Sequence, residues 1–268
     1  PEYLISVGDQ IDVKLWGAVD VQMVLPVDAQ GNVFIPRVGP VRVINVRNGE
    51  LNDAVRREVR RTYREEVGVY ATLAAAVPVK VFVSGFVRRP GLYPGYASDS
   101  LLNFLDRAGG IDPLSGSYID VRVLRGAQTI AQVNLYDFLI KGTLAQVQLR
   151  DGDSIFVGPI GSTAMVTGLV ASPAQFEFRQ GTRISELLGM AGVNGRATNV
   201  SIARSEGTRR EVIYVPVGDP ALDGAVVTGD YIEVMADRLV GQIAVSLEGE
   251  HEGAGQYVLP YAATLADM

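Results

Sequence analysis

Five arginines fall within nine residues, at Arg56, Arg57, Arg60, Arg61 and Arg64. On a helix, positions 56, 60 and 64 share one face, with 57 and 61 beside it. Such a basic strip suits an acidic protein neighbour or an anionic glycan. A solvated helix face paired locally with Glu58, Glu65 and Glu66 has the same composition, and both readings stand at this point. A second pair of cations, Arg88 and Arg89, lies in a Gly/Pro loop followed by Tyr93 and Tyr96. Sugars are held by aromatic faces and by side chains that donate several hydrogen bonds, so this loop has the chemistry of a glycan contact. Tyr93 recurs as Phe176 and Tyr257 in later copies of the motif and reads as core. Arg88, Arg89 and Tyr96 have no such counterparts, Ala171 and Ser172 standing in place of the arginines, and are the better candidates for contacts.

The remaining reactive side chains point away from catalysis. The one histidine, His251, lies among Glu248, Glu250 and Glu252 in a Gly-rich stretch. One imidazole with flexible carboxylates makes a poor metal site, and a solvated loop tip is the simpler reading. Asp9, Asp153 and Asp230 each follow a glycine in a turn that enters a strand, which marks a turn requirement rather than a set of acids. Trp16 closes a strand before Gly17 and reads as packing. The absence of cysteine excludes a disulfide scaffold, a thiolate metal site and a Cys nucleophile. There is no GxxxxGK[ST] and no GxGxxG between a strand and a helix. No metal, cofactor or enzymatic activity is expected.

The elements that must position these residues are short. The chain has 268 residues, 47% hydrophobic and 20% charged, an ordinary globular balance. Its 24 basic and 30 acidic residues give a net charge of −6, which argues against general nucleic-acid binding. No apolar run approaches the roughly 20 residues of a membrane helix. The nearest, 71–83, is interrupted by Pro78 and Lys80. Residues 3–16 read as a short strand, a Gly8-Asp9 turn and an alternating strand with Ile11, Val13 and Leu15 on one face. Residues 23–38 read as strand, Asp28/Gly31 turn and strand. A helix is expected over 48–66, with Leu51, Val55, Val59 and Tyr63 as its apolar stripe and Asn48 as its cap. An apolar strand follows at 77–86.

Beyond that point the chain repeats. VSGFVRRPGLY (83–93), VTGLVASPAQF (166–176) and SLEGEHEGAGQY (246–257) align on Gly85, Gly168 and Gly249, at spacings of 83 and 81 residues. The first two copies continue together through LLNFLDRAGGI and ISELLGMAGVN, then YIDVRVLRG and NVSIARSEG, then DGDSIFVGP and TGDYIEVMA. The unit reads as a small mixed sheet gripping one helix, an α+β fold in tandem. The third copy reaches Met268 inside its expected helix, so the chain is expected to be part of a longer protein.

With these segments in order, residues 1–80 resemble the export domain of the bacterial outer-membrane polysaccharide export family. The carrying segments are YLISVGDQIDVKLWG, VDAQGNVFIPRVGPVRV and LNDAVRREVRRTY. The later units resemble the soluble-ligand-binding β-grasp (SLBB) domains of the same family, at 81–160 and 161–238, with a truncated third unit from 239 to 268. The resemblance implies the periplasmic part of a translocon attached to the outer membrane through segments outside this chain. It implies capsule or exopolysaccharide as cargo, self-association into a ring, and an inner-membrane polysaccharide copolymerase as partner. A monomeric glycan- or small-ligand-binding adaptor is the alternative, and a glycan-modifying enzyme the less favoured one.

Overall fold

The computed structural model describes residues 3–17, 20–63, 67–206, 209–236, 242–246 and 256–260. They fall in two units, Pro1–Ile160 and Gly161–Met268. The first unit opens with β1 (Gln10–Gly17) and β2 (Val21–Pro26), followed by a small hairpin of β3 (Asn32–Ile35) and β4 (Gly39–Arg42). A single 3-10 turn leads into α1 (Leu51–Thr62), and β5 (Val67–Ala75) returns beside β1, giving sheet order β2-β1-β5. Ile11, Val13 and Leu15 alternate into the core and meet Leu51, Val55 and Val59 of α1, as a two-residue period facing a 3.6-residue stripe requires.

Two local expectations are corrected. Residues 3–7 form no strand: only Leu4 bridges, to Arg47. The Ile5 N–H donates to Val46, and the Tyr3 and Ile5 carbonyls accept from Asn48 and Asn45, but the facing chain turns at Asn45, with φ of +61°, and the ladder stops there. Asn48 does not cap α1. Its Oδ1 accepts from the Leu73 N–H at 3.2 Å, and Asn52, one turn on, accepts from the Ala71 N–H at 3.1 Å. The two amides thus satisfy donors on the edge of β5 that faces away from β1. The Asp28 turn forms, its Oδ1 accepting from the Gln30 and Asn32 N–H groups. The strands flanking it join different sheets, β2 pairing with β1 and β3 with β4.

The first β-grasp module comprises β6 (Pro78–Gly85), β7 (Gly91–Tyr96), α2 (Leu101–Arg107), β8 (Gly116–Arg125), β9 (Gln128–Val133), α3 (Leu135–Lys141) and β10 (Ser154–Pro159). Its sheet runs β7-β6-β10-β8-β9. The second unit holds β11 (Ser162–Gly168), β12 (Ala174–Phe178), α4 (Ile184–Ala191), β13 (Asn199–Glu206), β14 (Arg209–Pro216) and β15 (Tyr231–Met235). Its order, β12-β11-β15-β13-β14, is the same topology. In both modules the first and last strands lie side by side and parallel, β6 with β10 and β11 with β15. The first module carries two helices where one was expected; a 3-10 turn, Pro220–Asp223, precedes the last strand of the second.

A hairpin of β16 (Gln242–Ser246) and β17 (Gln256–Pro260) follows. Its register reproduces the earlier hairpins: Ser246 faces Gln256 where Met165 faces Gln175 and Phe82 faces Leu92. Arg64, Gly249, His251 and the glutamates around it lie outside the described residues. No helix among the described residues is long and apolar enough to cross a membrane.

Candidate functional site

The three Gly-Asp turns are the most elaborate polar structures in the molecule. Asp9, Asp153 and Asp230 are all buried. Each turn closes on a bond from the aspartate N–H to the carbonyl three residues back, at Ser6, Arg150 and Val227. Each carboxylate then accepts from the N–H of that same residue, at 2.7, 2.8 and 2.9 Å. In the two modules an arginine completes the shell. Nε and Nη2 of Arg125 donate to the two oxygens of Asp153 at 2.9 and 2.8 Å, and Arg204 meets Asp230 with the same pair of distances. The fork–carboxylate fit is the strong form of ion pair. It ties the turn before the last strand to the strand beside it.

Asp9 has a tyrosine in the arginine's place. Its Oδ1 accepts from the Tyr3 hydroxyl at 2.9 Å and from the Val77 N–H at 2.7 Å. Burial, and then the bond to Asp9, push the Tyr3 phenol well above its ordinary range. The Tyr3 ring packs against the cores of both the export domain and the first module. Beside it, Gln148 accepts from the Leu4 N–H at 3.0 Å and donates to the Leu4 carbonyl at 2.8 Å. Each of these buried carboxylates accepts three hydrogen bonds from its own turn and its neighbours, which suits anchoring.

The basic candidates divide on inspection. On α1, Arg56 reaches Asp53 at 3.8 Å and Arg61 reaches Glu58 at 2.8 Å. Arg57 and Arg60 are exposed and form no ion pair among the described residues. The Arg88–Arg89 loop lies against the C-terminus of α2: the Arg88 N–H donates to the Gly110 carbonyl and the Arg89 N–H to that of Ala108. The second module repeats this fit with Ala171 on Gly192 and Ser172 on Ala191. The Arg89 guanidinium also donates to the Arg107 carbonyl at 3.3 Å, where the helix dipole favours a cation. Arg88 lies near Asp112, whose carboxyl is held below its usual range chiefly by the Ser115 hydroxyl and the Leu114 N–H. Tyr93 packs on the core and donates to the Arg89 carbonyl at 2.6 Å. Tyr96 is exposed, but it pairs with Pro78 at the far end of the hairpin from the arginines, roughly 16 Å away along the strand. The structure therefore does not gather Arg88, Arg89 and Tyr96 into one site. Trp16 rests its ring on Gly68, where a Cβ would come within 2.1 Å of it.

Among the described residues no group of His, Asp and Glu is arranged to hold a metal ion. Sequence reasoning missed Arg125 and Arg204. In the aligned segments YIDVRVLRG and NVSIARSEG the two arginines stand two places apart, and only the pairing with the last strand, Leu124 facing Ser154 and Ala203 facing Tyr231, makes them equivalent.

Comparison with known proteins follows the same divisions. Residues 1–74 match the family model described as polysaccharide biosynthesis/export protein, and residues 79–157 and 163–216 each match an SLBB domain model. Two Escherichia coli proteins named polysialic acid transport protein KpsD are 46% and 45% identical over 99% of this chain and 48% of their own length. The EPS I polysaccharide export outer membrane protein EpsA of Ralstonia solanacearum is 27% identical over 80% of the chain and 58% of its own. The chain thus spans about half the length of the curated relatives it matches.

Proposed function

Because the chain belongs to the bacterial outer-membrane polysaccharide export family, with one export domain followed by SLBB domains, we propose that it is the periplasmic part of an oligomeric conduit through which a capsular or extracellular polysaccharide leaves the cell. The observation that carries this reading is the order of modules, matched over 99% of the chain in a relative named for polysialic acid transport. The role is passive. Copies of the chain surround the glycan, and the Gly-Asp turns tie the last strand of each module to the strand beside it. On this reading the protein hangs from the outer membrane by segments beyond this chain and meets an inner-membrane copolymerase on its other side. The β16–β17 hairpin opens a further β-grasp unit, a reading supported by its register.

The candidate contact residues are assigned to the glycan or a neighbouring subunit: Arg56 and Arg60 from α1, Arg64 from after it in sequence, and Arg88, Arg89 and Tyr96 from the first module. A polymer of sialic acid is anionic, and an anionic cargo suits the exposed Arg57 and Arg60. The test is the mass of the full-length protein in detergent, by light scattering behind a sizing column, together with surface glycan in a deletion strain. The expected result is a mass several times the protomer and loss of surface glycan. A monomer whose deletion leaves the glycan unchanged would overturn the reading and turn attention to direct binding of oligosaccharide.

A further inference from the structure

The sheet of the export domain turns one face to the core over α1 and leaves the other to solvent. Alternation along its three strands places Gln22 and Val24 of β2, Asp12, Lys14 and Trp16 of β1, and Gly68, Tyr70 and Thr72 of β5 on that open face. Trp16 stands opposite Gly68, Lys14 between Gln22 and Tyr70, and Asp12 between Val24 and Thr72. Trp16 is 52% exposed and Tyr70 47%. A tryptophan is ordinarily well covered. Here it is seated instead: Cε2, Nε1 and Cζ2 of the ring take the place of the side chain that Gly68 lacks, and the outer side of the indole is left to water.

Seated above Gly68, the indole lies two residues along β5 from Tyr70, so two aromatic groups follow one another at about 7 Å. Between them on β1 stands Lys14, its side chain 43% exposed and its ammonium 3.9 Å from Asp12. Aromatic faces in series, edged by an ammonium, a carboxylate, a carboxamide and a hydroxyl, match a chain of pyranose rings. The C–H faces of such rings stack, and their hydroxyls both donate and accept. We propose that this face binds the sugar chain, with Trp16 and Tyr70 as stacking platforms and Lys14 and Gln22 as polar contacts. This rests on the conduit reading and gives it a contact site in the export domain. Trp16 thus does more than pack.

Composition and area both argue against other occupants. The cores of protein interfaces are depleted of lysine, and Lys14 stands in the middle of this face. Three strands about 4.8 Å apart, over five residues of about 3.3 Å each, give roughly 240 Å². A stable protein complex covers about 800 Å² on each partner. A nucleic acid would meet a chain of net charge −6. A single polymer strand suits a strip of this width, and two rings on an open face hold it loosely enough to let it pass on.

Trp16 is the one tryptophan of the chain, so its emission reports this face alone. The whole 268-residue chain would be titrated with oligosaccharides cut from the surface polysaccharide of the strain that carries it. The expected result is a saturable shift of the emission to shorter wavelength, as stacking takes the indole out of water. Tyr70→Ala and Lys14→Ala, both at exposed positions, should each raise the half-saturating concentration about fivefold at an unchanged melting temperature. A saturation that neither substitution moves would overturn the site. An emission that does not shift, from a protein that assembles and whose deletion removes surface glycan, would overturn the site and leave the conduit standing. A monomer whose deletion spares the glycan would overturn both.

Discussion

Arg125 and Arg204 do for Asp153 and Asp230 what Tyr3 does for Asp9. In each case a carboxylate taken out of water is matched by a donor of fixed geometry and by the N–H of its own turn. Removing one member of such a pair leaves a buried charge without compensation, at a cost of about 3–5 kcal/mol. Asp230→Ala is accordingly expected to lower the unfolding free energy of the second unit, measured in urea, by that amount and to leave the first unit unchanged. Asp230→Asn, which keeps an acceptor for the turn, should lose less; equal losses would show that the ion pair and not the turn bond dominates. The aspartates were legible because Gly-Asp recurs before a strand. The arginines were not, since Arg125 lies 28 residues before its partner and Arg204 lies 26 before its own. The contact candidates were half legible. Arg88 and Arg89 do leave the core for the surface, but their closeness to Tyr96 in the sequence concealed a hairpin that carries Tyr96 to its opposite end.

At the scale of elements, the Gly that opens each repeat has a structural reason. Gly85 and Gly168 adopt φ of +80° and +85°, and a Cβ at either would meet the carbonyl oxygen of Val157 or Val234 at 2.1 or 2.0 Å. Those carbonyls belong to the parallel partner strands, so the glycine is what lets the first and last strands of a module close up. Gly85→Ala and Gly168→Ala should each cost at least about 2 kcal/mol. Denaturant unfolding followed separately for the two units is expected to show each substitution acting only in its own unit. The repeat was readable from sequence because this steric demand forces the same residue at the same step. β5 was not, since VGVYATLAA runs into the following apolar stretch with no turn signal strong enough to part them. Asn48 was misplaced as a cap because an Asn before a helix serves an adjacent strand edge equally well.

For the chain as a whole, the order of modules was the legible part, and the joint between the first two was not. Residues 3–7 looked like a strand by alternation, yet they act as a tie: Tyr3 enters two cores and Gln148 clasps Leu4. The joint has a pH signature. The native Tyr3 phenol keeps its proton at a pH where the unfolded chain's, ionising near 10, has lost it. Its contribution to stability is therefore whole below about pH 10 and is lost as the pH rises beyond that value. Between about pH 9 and 11 the unfolding midpoint of the first unit should fall more steeply in the wild type than in Tyr3→Phe, and parallel slopes would contradict this. At neutral pH the same substitution is expected to cost about 1.5–3 kcal/mol, the loss of a hydrogen bond to a charged acceptor that keeps its Ser6 and Val77 donors. The parallel pairing of β6 with β10, and of β11 with β15, carries a mechanical consequence. The chain enters and leaves each module on adjacent strands running the same way, so tension applied through its ends slides those strands past one another. Every bond of the ladder is then loaded at once, in shear, where an antiparallel pair would part like a zip, one bond at a time. A pull on the two ends of either module thus meets it in the direction in which it is hardest to open.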